Sequence, residues 1–267
     1  MAQPDEATDR SARWSQLLDL VSEHGRLSVA EASESLGVSA ATVRRDFSSL
    51  AQQQLVTRTH GGVVATSVAY DLPARYRRGA DSRRERIAAA VGAMPTPGQV
   101  VGLNGGRTSS GIARIIGART DLDRTTEGPG LTVVTNALNI ATELVLRPHI
   151  RTVSVGGVAR AQSYELIGDL ALATIDRLWL DVAVIGVNGI DVGAGMTCFH
   201  DGEAAVSNRF VERSDRVIIA ADSSKLGVRT FARICDIGQA NLLVTDDDAS
   251  DKDISALEAE GLEVLAV

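Results

Sequence analysis

The chain has 267 residues, 44% of them apolar, 3% aromatic and 23% charged, proportions of an ordinary globular protein that exclude a disordered or fibrous chain. No apolar run approaches the roughly 18 to 20 residues of a membrane span, and residues 1–10 lack the apolar stretch of a secretory signal, so the expected setting is the cytoplasm, with Cys198 and Cys235 reduced. The net charge of −7 argues against bulk polyanion binding, but residues 1–86 hold 12 arginines against 11 acids while the remainder holds 15 basic residues against 23 acids; any polyanion site is local.

Trp14, Leu17, Leu18 and Val21 recur at i, i+3, i+4 and i+7, one apolar helical stripe that Gly25 is placed to end. Ser28 and Glu31 form a capping-box pattern that opens a second short helix carrying Ala32 and Leu36 and stopping at Gly37. Ser39 caps a third helix with Val43, Phe47 and Leu50 on one face and Ala41, Arg44, Arg45, Ser48 and Gln52 on the other. After Gln54 a strand is expected over Leu55 to Arg58, and Gly61 and Gly62 turn the chain into a second strand at Val63 and Val64. Residues 10–66 therefore outline a winged helix-turn-helix.

Thr42, Arg44 and Arg45 combine short polar reach with guanidinium forks, the chemistry that contacts phosphates and guanine edges in a major groove. Arginines on a surface helix alone would read as a solvated face; the preceding helix and three-residue turn favour DNA. Ser28, Ser39 and Ala41 complete the candidate DNA-facing set on the helices, and Arg58 and His60 beside Gly61 and Gly62 are placed to reach a backbone phosphate from the wing.

Residues 67–86 read as a linker, with Pro73, Arg75, Arg77, Arg78, Gly79, Arg83 and Arg84 and little apolar periodicity. From Ile87 to the end, seven β-branched runs alternate with helical stretches: Gln99 to Leu103, Leu131 to Thr135, Thr152 to Val155, Val182 to Val187, Val217 to Ala221, Leu242 to Thr245 and Val264 to Val267. The pattern predicts an α/β domain over 87–267 with a mostly parallel sheet covered on both faces. The first of these strands runs into Asn104, Gly105, Gly106, Arg107, Thr108 and Ser109 and then a helix. Backbone N–H groups in such a loop suit a phosphate or carboxylate, although a glycine-rich turn can also be only a tight turn. Cys198, His200, Asp201 and Glu203 lie close together but lack the spacing of a metal site, and neither a metal nor a cofactor is expected.

Ser39, Thr42, Val43, Arg44, Arg45, Asp46 and Phe47, followed by Arg58, Thr59, His60, Gly61 and Gly62, resemble the two hallmarks of the DeoR family of bacterial transcriptional regulators. The resemblance covers roughly residues 10 to 250. It implies a C-terminal sensor similar to the ribose-phosphate isomerase and CoA-transferase fold that binds phosphorylated sugars. It also adds candidate effector residues at other strand ends: Thr135 and Asn136, Gly156 and Gly157, Gly186, Asn188 and Gly189, Asp201 and Glu203, and Lys225 in the segment starting at Asp222. Three positions depart from the family pattern: Asn104 stands where Asp is usual, Arg107 where Thr is usual, and Ser207 where Lys is common. The expected partners are a double-stranded DNA operator, a phosphorylated sugar and a second copy of the chain, and no membrane. The rival reading is a sugar-phosphate isomerase with Asp201 or Glu203 as base and Lys225 stabilising an enediolate.

Overall fold

A computed structural model describes residues 13–14, 16–17, 20–21, 26–52, 56–59, 61–65, 82–122 and 130–267. The chain divides into two compact units, Met1–Gly79 and Ala80–Val267. Leu18, Gly25, Gln54, Leu55, His60 and residues 67–81 of the expected linker lie outside the described residues.

In the first unit, residues 13–14, 16–17 and 20–21 are helical, and Leu17 and Val21 are buried. A short strand β1 (Arg26–Ser28) leads into α1 (Val29–Leu36), a tight turn and α2 (Ala40–Gln52). The Ser28 side chain accepts from the Glu31 N–H at 3.2 Å and the Ser28 N–H donates to Glu31 Oε2 at 2.8 Å, which satisfies two otherwise orphaned donors reciprocally. Gly37 ends α1 at φ 63, a left-handed conformation that costs glycine nothing. Strands β2 (Val56–Thr59) and β3 (Gly62–Ala65) form the expected hairpin. β3 also pairs antiparallel with β1, a third strand too short to show in the apolar pattern. Leu17, Leu27, Ala32, Val43, Phe47, Leu50, Val56 and Val63 close one core; complete burial of such side chains stabilises by about 1.5–3 kcal/mol each.

The second unit opens with α3 (Ser82–Gly92) and then alternates strand and helix: β4 (Val100–Leu103), α4 (Arg107–Ala118), β5 (Leu131–Thr135), α5 (Leu138–Leu144) and β6 (Ile150–Ser154). A two-residue hairpin, β7 (Val158–Ala159) and β8 (Leu166–Ile167), precedes α6 (Asp169–Ile175) and β9 (Leu180–Ile185). Then come β10 (Gly189–Asp191), β11 (Gly195–Cys198), α7 (Asp201–Glu212), β12 (Ser214–Ala220), β13 (Ala232–Cys235), β14 (Leu242–Thr245), α8 (Asp251–Ala259) and β15 (Glu263–Ala266).

Seven strands in the order β15-β14-β12-β9-β4-β5-β6 build one sheet, and every pairing in it is parallel. Alternate residues feed two layers. Val101, Leu103, Val133, Val182, Val184, Ile218 and Val244 pack with α3, α4 and α5, whereas Ala183, Ile185, Val217, Ile219 and Leu243 pack with α6, α7 and α8. Burial on both faces explains why these strands read as continuous β-branched runs. β10, β11 and β13 form a separate antiparallel sheet that the sequence pattern did not reveal.

One boundary is corrected. Residues 82–86, expected as the end of the linker, are the first turns of α3. Ile87, Ala88 and Val91 face the core while Arg83, Arg84 and Arg86 hold acids of the same unit. Arg83 Nη1 reaches Asp248 at 3.4 Å, Arg84 Nε reaches Asp222 at 3.0 Å, and Arg86 pairs with Asp247. An arginine-dense helix with half its face charged lacks the periodicity that identifies helices.

Candidate DNA-reading face and effector site

In the first unit α2 presents Ala41, Arg44 and Arg45 exposed and Thr42 half-buried, with Val43, Phe47 and Leu50 turned into the core. Ser39 Oγ accepts from the Thr42 N–H at 3.2 Å and pairs with Thr42 Oγ1 at 2.9 Å, which fixes the start of the helix. Ser28 is engaged in the capping box of α1. Arg58 Nη1 donates to Ser48 Oγ at 3.0 Å, and Ser48 Oγ donates to the Arg44 carbonyl at 2.8 Å, so the wing strand braces the arginine-bearing helix. Gly61 sits at φ 90 in the hairpin turn, whereas a Cβ on Gly62 would lie 2.3 Å from the Leu27 carbonyl oxygen. Gly62 thus serves the close approach of β3 to β1 rather than an outward contact. His60 lies outside the described residues.

Asp46 has a part that sequence reasoning did not assign. It is buried and accepts from Arg13 Nε at 2.7 Å and Trp14 Nε1 at 2.9 Å, tying the first helical segment to α2. Charge-assisted bonds of this kind are about twice as strong as neutral ones. The signal available in the sequence was an acid beside Phe47 on the buried flank of an amphipathic helix.

In the second unit the expected loops follow the carboxyl ends of the parallel strands, where open α/β sheets place ligands. Asn104, after β4, is buried and fully committed within the protein. Its Nδ2 donates to the Gly186 carbonyl at 2.9 Å and to Ser207 Oγ at 3.1 Å, and its Oδ1 accepts from the Gly186 N–H at 2.8 Å and Ser109 Oγ at 3.2 Å. These bonds lock the loop after β4 to the end of β9. Gly106 is the N-cap of α4 at φ 111 and supplies no side-chain cap, leaving first-turn amides beside an exposed Arg107 and a half-buried Thr108. Ser110 Oγ donates back to the Gly106 carbonyl at 2.8 Å.

Thr135 Oγ1 accepts from the Ala137 N–H at 3.0 Å, and Asn136 Nδ2 donates to Glu165 Oε2 at 2.9 Å. Glu165, which no motif singled out, is buried; removal from water first and the field of Glu203 second push its carboxyl up to about 7. Gly156 and Gly157 hold φ 75 and 121, and Gly157 lies against the backbone of Ile167. Glu203 accepts from Arg160 Nε at 2.7 Å, whereas Asp201 is exposed. Asn188 Oδ1 accepts from the Phe199 N–H at 3.3 Å, and a Cβ on Gly189 would lie 2.3 Å from the Val228 carbonyl. Both positions serve the small antiparallel sheet. Lys225 is half-buried in a short turn after β12, near Asp222; burial, the largest single influence, raises that carboxyl, but Ser224, Lys225 and Arg84 together outweigh it and hold it below the usual carboxylate range.

Neither Cys198 nor Cys235 is in a disulfide; both are buried, which raises their thiols to about 11. Asp246, Asp247 and Asp248 bring three carboxylates together, but each is already served. Asp246 accepts from the Ser223 N–H and Oγ, and the other two pair with Arg86 and Arg83. No helix among the described residues is long and apolar enough to cross a membrane.

Comparison with known proteins converges on the same two parts. Residues 13–68 match the DeoR-like helix-turn-helix domain and residues 80–247 the DeoR C-terminal sensor domain. The glycerol-3-phosphate regulon repressor of Escherichia coli is 28% identical over 238 residues, 89% of this chain and 91% of the relative. The transcriptional repressor AccR of Agrobacterium fabrum is 32% identical over 241 residues, 88% of each chain. The transcriptional repressor GlcR of Bacillus subtilis is 26% identical over 251 residues, 93% of each chain. The chain belongs to the DeoR family and is a DNA-binding transcriptional regulator.

Proposed function

We propose that this regulator is a repressor that acts in the cytoplasm as a homodimer or higher oligomer, and that a phosphorylated sugar bound at the carboxyl ends of β4, β5, β9 and β12 releases it from a two-half-site operator. The observation that carries the effector reading is the loop after β4. Gly106 leaves the amides at the start of α4 without a side-chain cap, and a helix N-terminus with open N–H groups favours an anion. Asn104 holds that loop rigidly without occupying the amides, and Arg107 adds an exposed cation. Lys225 supplies a second positive charge from the end of β12, two strands from β4 in the sheet. The name of one relative carries glycerol 3-phosphate, in keeping with a phosphorylated ligand.

On the DNA side, Thr42, Arg44 and Arg45 read the groove and Arg58 contacts phosphate. One short helix reads few base pairs, so two modules on paired half-sites raise specificity through effective concentration. A ligand releases the operator only by binding the low-affinity conformation better, with typical couplings of about 1–3 kcal/mol. The test is a panel of sugar phosphates and their unphosphorylated parents, scored by thermal shift and by release of an operator fragment. One phosphorylated compound should raise the melting temperature and release DNA while its parent sugar does neither. A parent sugar as effective as its phosphate would overturn the anion reading.

A further inference from the structure

Glu165 has no part in the reading above, yet it lies directly against the loop on which that reading rests. The residue before it, Tyr164, sits at φ 60, a left-handed conformation that a bulky side chain adopts only where the surroundings force it. Glu165 itself makes an antiparallel bridge to Ala137. The carboxyl so placed occupies the volume a side chain at 105 would need: a Cβ there would lie 2.5 Å from Glu165 Cγ and 2.7 Å from Oε1. The Gly105 N–H donates to the carboxyl, and Asn136 Nδ2 donates from the other side at 2.9 Å.

The charges around it are mixed. Glu203 on α7 opposes its ionisation; Arg160, which is bonded to Glu203, favours it. Cys198, at the end of β11, lies in the same field, with Asp201 and the His200 cap of α7 close by. One atom is left over: Asn136 Oδ1 is buried without a hydrogen-bond partner, although Asn136 is 0% exposed. A buried acceptor in that state calls for a donor. A protonated Glu165 is a donor beside it, because a neutral carboxyl and a primary amide pair through one O–H and one N–H bond.

An ionised Glu165 sets a negative charge behind the loop that would hold an anion and engages the Gly105 N–H, whereas a neutral one removes that repulsion. We propose that Glu165 couples effector binding to proton uptake: an anion seated on the Gly105–Thr108 loop draws one proton from solvent onto the Glu165 carboxyl, so the sensor answers to its anionic ligand and to pH together. The inference rests on the loop being the anion site.

Sulfate is a suitable probe because it stays a dianion across the range. Its binding to the full chain is followed at the Arg107 and Thr108 backbone amides by NMR at pH 6 and pH 8. With the carboxyl titrating near 7, the dissociation constant should rise about tenfold between the two pH values, and Glu165→Gln should bind at both with the tighter constant. The proton count in the wild type, from calorimetry in two buffers of different ionisation enthalpy at pH 8, stands even where the variant fails to fold; it should approach one per sulfate. His200→Gln should leave that count unchanged. Absence of sulfate shifts at either pH overturns the anion loop and this inference together. Binding that is independent of pH, a pH dependence that survives in Glu165→Gln, or zero proton uptake overturns the inference alone.

Discussion

Asn104 and Ser207, at positions where the family resemblance leads one to expect Asp and Lys, are hydrogen-bond partners in the structure. Asn104 Nδ2 donates to Ser207 Oγ at 3.1 Å, with the two residues 4% and 1% exposed. The pair is neutral and buried, so a charge introduced at either position alone has no partner there. Asn104→Asp turns the 2.9 Å bond to the Gly186 carbonyl into a contact between two acceptors and buries a carboxylate with no cation. An unpaired buried charge of this kind costs about 3–5 kcal/mol. Ser207→Lys forces a long stem and an ammonium into a closed site at a cost of about 3 kcal/mol or more. In the double variant the ammonium faces the carboxylate, so the two should couple favourably by about 2 kcal/mol. Urea unfolding of the four full-length proteins by far-UV circular dichroism measures this, with amide exchange in β4 and β9 assigning the transition to the sensor unit. Effects that add within about 0.5 kcal/mol would refute the pairing.

Glu165→Gln should stabilise the sensor unit at alkaline pH. The native carboxyl titrates near 7 against an ordinary 4.5, so wild-type stability relative to the variant is fully present below 4.5 and falls by up to about 3 kcal/mol as pH rises through 7; a flat difference between pH 4 and 8.5 would contradict the burial argument. Phe47→Ala, at a site 1% exposed, should cost about 3–5 kcal/mol and abolish operator binding through unfolding of the first unit, read as lost protection of the α2 amides. Arg44→Ala and Arg45→Ala should each weaken operator binding by about 1–3 kcal/mol at fixed low salt while the fold persists; wild-type affinity in both would displace them from the interface. Lys225→Ala should lose ligand-induced release and keep operator affinity, as scored by band shift with the active sugar phosphate.

What the sequence made legible was what depends on pattern. The parallel strands bury both faces, so Leu131 to Thr135 and Leu242 to Thr245 read directly as apolar runs with the observed ends. The helix-turn-helix rests on local caps that any reader of Ser28, Gly37 and Ser39 can place. What stayed hidden depends on approach between distant segments. Gly62 and Gly189 look like loop glycines, and only the backbone passing within 2.3 Å of each missing Cβ tells otherwise. Asn104 carries the chemistry of a ligand contact, yet its four hydrogen bonds go to three residues, at the end of β9, on α4 and on α7. Glu165 was invisible because its place is set by a strained Tyr164 and a two-residue strand, neither of which leaves a periodic trace. The opening turns of α3 were missed because their arginines serve acids more than 130 positions away.

Those arginines also anchor the start of the sensor unit to its sheet. Arg84 Nε donates to Asp222, which is 2% exposed and also lies in the field of Lys225. Arg83 and Arg86 reach Asp248 and Asp247 after β14, and Arg86 also donates to the Val267 carbonyl after β15. The first turns of α3 are thus fastened to the ends of three strands of the sheet, β12, β14 and β15.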